Sequence, residues 1–94
     1  MSDRAYLGIR YDDPSIQAEF EWLRQAIRDA EQARAPIAAR HRQAERDLEE
    51  GAISDAQFRS VDKDYIAANN AIAAAQRAAD AFLQQHRDYH AGSQ

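Results

Sequence analysis

The sequence predicts an all-α fold, an antiparallel two-helix hairpin preceded by an extended N-terminal arm. Three observations carry that expectation: an apolar stripe of helical period in each half of the chain, and a compact turn signal between the two. The chain has 94 residues and therefore reads as one domain, near the size at which a single core is marginal without a partner.

The arm, residues 1–12, contains YLGIRY, an apolar and aromatic segment around a glycine. Helix 1 is expected over 13–50. Asp13 is placed to cap it, and Pro14 suits the first helical position, where its missing N–H costs nothing. The stripe then steps by four and three through Ile16, Phe20, Leu23, Ile27, Ala30, Arg34, Ile37, His41, Ala44 and Leu48, all apolar except Arg34 and His41. Pro36 interrupts this helix, at about 3 kcal/mol in an ideal one. The stripe keeps its register across the proline, which predicts a kink; a true break near Ala35 is the alternative and would make three helices.

The turn, 51–54, lies in EEGAISDAQF. Gly51 suits the left-handed residue that closes a helix, and Ser54 with Gln57 forms a capping box, flanked by Ile53 and Phe58 as a hydrophobic staple. Helix 2 follows over 55–89, with a stripe at Phe58, Val61, Tyr65, Ala68, Ile72, Ala75, Ala79, Phe82, His86 and Tyr89, and 90–94 read as a frayed tail. Folding back at the turn sets positions summing to about 105 or 106 opposite one another. Leu48 then meets Phe58, His41 meets Tyr65, Ile27 meets Ala79 and Leu23 meets Phe82.

A second apolar face accompanies these seams. Helix 2 carries Ala67, Ala71, Ala74, Ala78 and Ala81, and helix 1 carries Trp22, Ala26 and Ala33. Two helices cannot cover so wide an arc by themselves, so a homo-oligomeric helical bundle, dimer or higher, is expected, with Trp22 as anchor. An arm folded over Trp22 is the intramolecular alternative.

Composition removes several function classes. With no cysteine there is no disulfide framework, thiolate zinc site or cysteine nucleophile. The apolar runs fall far short of the ~20 residues that span a bilayer, and a signal-peptide pattern is missing, so a soluble, cytoplasmic protein with no membrane role is expected. The net charge of −4 argues against binding duplex nucleic acid. Lys63 is the only lysine among twelve basic residues; the arginines suit bidentate contacts to carboxylate or phosphate, or simply reflect base composition. No nucleophile, acid–base pair or glycine-rich phosphate loop is recognisable, so the expectation is a non-enzymatic protein without a cofactor.

The remaining polar positions read as structural. His86 and His90, four apart, have ligand spacing but no further ligand pattern, so no metal site is expected. His41 opposite Tyr65 suggests a histidine–phenol hydrogen bond. Arg34 on the seam either snorkels, laying its stem on apolar surface, or needs a partner: Asn69, a neighbouring chain's carboxylate or an anionic ligand. In RHRQAER, Arg42 with Glu45 and Arg46 with Glu49 and Glu50 read as surface ion pairs.

The arm leaves two readings open. It is a latch that packs along a hairpin, or it is half of a site in which Arg4, Arg10 and Tyr11, with Arg24 and Arg28, bind a nucleotide through stacking and charge-assisted bonds. The residues alone favour the latch. At RYDDPS, and at AANNAIAAAQ (residues 67–76), the chain resembles small phage proteins that sequester immune signalling nucleotides, the anti-CBASS and Thoeris anti-defence sponges. The likeness spans about a sixth of the chain. It departs in lacking the family's tryptophan before the second stretch and its Arg-Glu-rich turn. The resemblance implies an oligomeric hairpin, with Tyr11 as stacking residue and Arg24 or Arg28 as the phosphate partner.

These observations converge on a small oligomeric hairpin that acts by binding a protein partner, as an adaptor or inhibitor. Alternatives are sequestration of a small anionic nucleotide at subunit junctions, with Tyr11, Arg10, Arg24 and Arg28 as ligand residues, and a purely structural coiled-coil element.

Overall fold

The structure is a computed structural model that describes residues 6–90. It is an all-α hairpin: α1 runs Pro14–Glu49 and α2 runs Asp55–Gln85. Asp13 caps α1 as its position suggests. Its carboxylate accepts from the Ser15 N–H at 2.9 Å and the Ser15 hydroxyl at 2.7 Å, while its carbonyl accepts from the Gln17 N–H at 2.9 Å. The helix continues through Pro36 to Glu49, so the three-helix alternative does not apply.

The turn is built from local chemistry alone. Gly51 takes a φ of +75°, which any side chain would resist. The Ala52 N–H returns to the Asp47 carbonyl at 2.7 Å and the Gly51 N–H to the Leu48 carbonyl at 3.1 Å, the paired bonds of a Schellman closure. On the far side, the Gln57 N–H donates to the Ser54 hydroxyl at 3.1 Å. The Gln57 side-chain oxygen accepts from the Ser54 N–H at 2.8 Å. Both halves of the expected capping box are present.

The chain divides into two compact units, Ala30–Ile72 and the pair of segments Met1–Asp29 and Ala73–Gln94. In the Ala30–Ile72 unit the seam holds a polar cluster. His41 stacks on Tyr65 at 4.2 Å between centroids, as the pairing sum places it. The expected histidine–phenol hydrogen bond is not made, however. His41 Nε2 instead lies 2.9 Å from an Asp62 oxygen, and the Tyr65 hydroxyl accepts from Arg34 Nη2 at 2.7 Å. Arg34 Nε donates to the Asn69 side chain, the partner anticipated for it within the chain. Farther along α1, Arg46 donates to the Gln43 side chain at 2.7 Å, one turn back, in place of the expected pairing with Glu49 and Glu50 one turn ahead.

The other unit holds the aromatic core. Phe20 and Ile27 are fully buried on α1 and Ala79 on α2, with Phe82 nearly so; Ile16, Leu23, Ala75 and Leu83 pack around them. Phe20 and Phe82 stack at 5.9 Å. Here α2 ends at Gln85, four residues before the expected Tyr89. The His86 N–H makes the last helical bond, to the Phe82 carbonyl at 2.9 Å, and the chain then leaves the helix. What replaces the lost turn is the arm. His90, expected to begin a frayed tail, forms an antiparallel bridge with Arg10; residues 91–94 lie outside the described residues. The arm is itself less extended than expected, because a turn closes from the Ile9 N–H to the Tyr6 carbonyl at 3.3 Å with Gly8 at φ +87°.

Candidate functional site

The arm answers its own question by where it puts its two tyrosines. Both are buried, Tyr11 with 7% of its surface exposed, and both join the Phe20–Phe82 core. The Tyr11 ring meets Phe20, Phe82, His86 and Tyr89 edge-on at 5.6–6.1 Å. Its hydroxyl donates to the His86 carbonyl at 2.6 Å, and its backbone N–H donates to the Gln17 side chain at 2.8 Å. Burial raises the Tyr11 phenol pKa above the usual value, with Tyr89 and Asp88 adding to it, so the hydroxyl stays a donor. The Tyr6 hydroxyl donates to Asp80 at 2.6 Å. Tyr11 is thus a core residue, and its burial leaves little of the ring open to stack on a base.

The other ligand candidates separate from it. Arg10 is exposed and engaged through its backbone. Arg24 and Arg28 line a small hollow of about 240 Å³ with Glu21. Arg28 holds the Gln25 side-chain oxygen through Nε at 3.2 Å and Nη2 at 2.6 Å, and Gln25 in turn donates to Asp29 at 2.8 Å. The structure therefore brings Arg24 and Arg28 together and keeps Tyr11 in the core. Arg4 lies outside the described residues.

The apolar candidates are open. Trp22 is 69% exposed, and the described part of the arm, from Tyr6 onward, packs on the Phe20–Phe82 core instead. In the same unit Ala74, Ala78 and Ala81 are exposed and Ala26 is half-buried; in the Ala30–Ile72 unit Ala33, Ala67 and Ala71 are exposed.

Two features went unread in the sequence. Ile66 is 50% exposed; its signal was present, since it follows a seam residue and belongs to neither stripe. The larger hollow, about 630 Å³ and lined by Asp80, Leu83, Gln84, Arg87 and Tyr89, had no such signal. It forms where Arg87 and Tyr89 follow the end of α2, next to the bridge between His90 and Arg10. Its charged groups are engaged: Asp80 by Tyr6, and Arg87 by the Gln84 side chain at 2.6 Å.

No family model, curated protein or solved structure matches the chain. The likeness at RYDDPS and AANNAIAAAQ stands on those residues alone. Among the described residues no group of three His, Cys, Asp or Glu side chains could hold a metal ion, and no helix is long and apolar enough to cross a membrane.

Proposed function

We propose that this chain is a non-enzymatic, cytoplasmic helical-hairpin protein that self-associates and works by binding a protein partner, with its arm serving as a latch. The observation that carries this reading is Trp22, the largest side chain of the molecule, left 69% exposed while both arm tyrosines are buried. Tryptophans of this kind dominate protein interfaces because they offer much contact area for little lost freedom.

Helical geometry places the other candidates. At 100° per residue Trp22 lies roughly 160° from buried Phe20, while Ala78 and Ala81 lie roughly 100° and 160° from buried Ala79. Trp22 and Ala81 therefore stand on the outward faces of their own helices, and Ala78 on the flank of α2. Small exposed side chains on α2 let another helix approach closely, and Trp22 offers α1 an anchor of its own.

A second reading, sequestration of a small anionic nucleotide, draws support from Arg24 and Arg28 sharing a hollow. The burial of Tyr11 weighs against it, because the ring that the resemblance assigns to stacking is already part of the core.

Native mass spectrometry of the gently purified protein tests both. The expected result is an oligomer mass without small-molecule surplus, reduced to a smaller species by Ala74→Glu. An unchanged mass in that variant removes the alanine face. A surplus of a few hundred daltons per site would favour sequestration.

A further inference from the structure

The join between arm and tail uses one histidine twice. The Arg10 N–H donates to the His90 carbonyl at 2.8 Å and the His90 N–H donates to the Arg10 carbonyl at 2.7 Å, while His90 Nε2 lies 3.0 Å from an Asp12 oxygen. Directly beneath, Tyr11 closes over Phe20 and Phe82 and fastens to the His86 carbonyl. The backbone pair is indifferent to pH between 5 and 8, but the imidazole is not.

We propose that residues 10–12 form a pH-gated flap: protonated His90 clasps the arm to the tail through Asp12, and neutral His90 loosens it, admitting solvent or a partner to the Tyr11–Phe20–Phe82 cluster. This goes beyond the binding role above and does not depend on it.

The groups around His90 decide the sign. Asp12 and Arg10 stand on the arm, and His86, Arg87, Asp88 and Tyr89 precede it on the tail. His90 is held above the ordinary imidazole range, first by its hydrogen bond to Asp12 and then by that carboxylate's charge; desolvation opposes this, and Asp88 adds a smaller push upward. A histidine whose pKa is raised in the closed state stabilises that state fully below the open-state value, about 6.5, and stops doing so as pH rises through the closed-state value. The clasp is therefore firm in mild acid and weak at mildly alkaline pH.

Its amplitude is limited by water. The two side chains are 67% and 87% exposed, so the closed-to-open ratio changes by about two- to five-fold, the range of exposed ion pairs. That is enough to tune a flap, and far too little to unfold the hairpin.

Solvent-exchange NMR of the full chain at pH 5.5 and pH 8 tests the flap. Protection of the Arg10 and His90 amides, corrected for intrinsic exchange and referred to the Ala52 amide in the turn, should fall about two- to five-fold between the two conditions. His90→Gln and Asp12→Asn should each abolish that difference, and Asp12→Asn should lower the His90 pKa followed by its ring proton shifts. A wild-type ratio that does not change with pH overturns the proposal. So does a pH dependence that survives His90→Gln, or a His90 pKa unmoved by Asp12→Asn.

Discussion

Tyr11 has an apolar ring and a polar tip, and the arm satisfies both at once. The ring contributes to the core, and the hydroxyl caps a carbonyl that α2 leaves open at His86. Tyr11→Phe keeps the ring and removes the bond, so it should lower unfolding free energy by about 1 kcal/mol in denaturant titration. Because burial raises the phenol's pKa, the latch contribution is complete below the ordinary tyrosine value and is lost as pH climbs past it; arm opening in strong alkali should precede loss of helix by circular dichroism. The residue scale also shows where pattern reading stops. The stacking of His41 on Tyr65 was legible, because the pairing sum requires only that both lie on the seam. Their hydrogen bonding was not. Parallel rings direct the imidazole nitrogens sideways, where Asp62 waits, and Arg34, a donor with no acceptor of its own, takes the phenol oxygen.

At the scale of elements, what is local was legible and what is remote was not. The turn could be read residue by residue, since Gly51, Ser54 and Gln57 bond only within a few positions of themselves. Gly51→Ala meets no atom within 4 Å, so its penalty is purely conformational, about 1 kcal/mol by thermal or chemical unfolding. The end of α2 had no comparable signal. Its stripe runs on through His86 and Tyr89, and both side chains do pack against Tyr11, yet they do so from a chain that has left the helix. Which carbonyl Tyr11 would claim, and that His90 would pair with Arg10, depends on residues more than 70 positions away. Pro36 falls between these cases. Its stripe register implied continuity, and α1 is continuous, but at a helix-interior proline one backbone bond is missing. Pro36→Ala, at an exposed position, should raise stability by about 1–3 kcal/mol in the same denaturant titration.

For the molecule as a whole, the informative surface is the one its own residues leave open. Ala74 is exposed, so a glutamate there is tolerated by a single chain and becomes harmful only where chains meet, which is why a mass reduction in that variant reads assembly rather than misfolding. The alanine spacing marked a wide apolar arc, and those alanines of α2 are exposed, but it named nothing to cover them, because small side chains accept many helices and specify none. The hydrogen bonds described above also differ in how much chain they enclose. Within the Ala30–Ile72 unit, His41–Asp62 and Arg34–Asn69 span 21 and 35 residues; around the aromatic core, Tyr6–Asp80, Tyr11–His86 and Asp12–His90 span 74, 75 and 78. Closing a longer loop loses more chain entropy before any contact rewards it. Folding should therefore begin at the turn and zip away from it, the arm docking last. Gly51→Ala would then slow refolding, whereas Tyr11→Phe would leave refolding unchanged and hasten unfolding, so that the two variants load opposite limbs of the chevron.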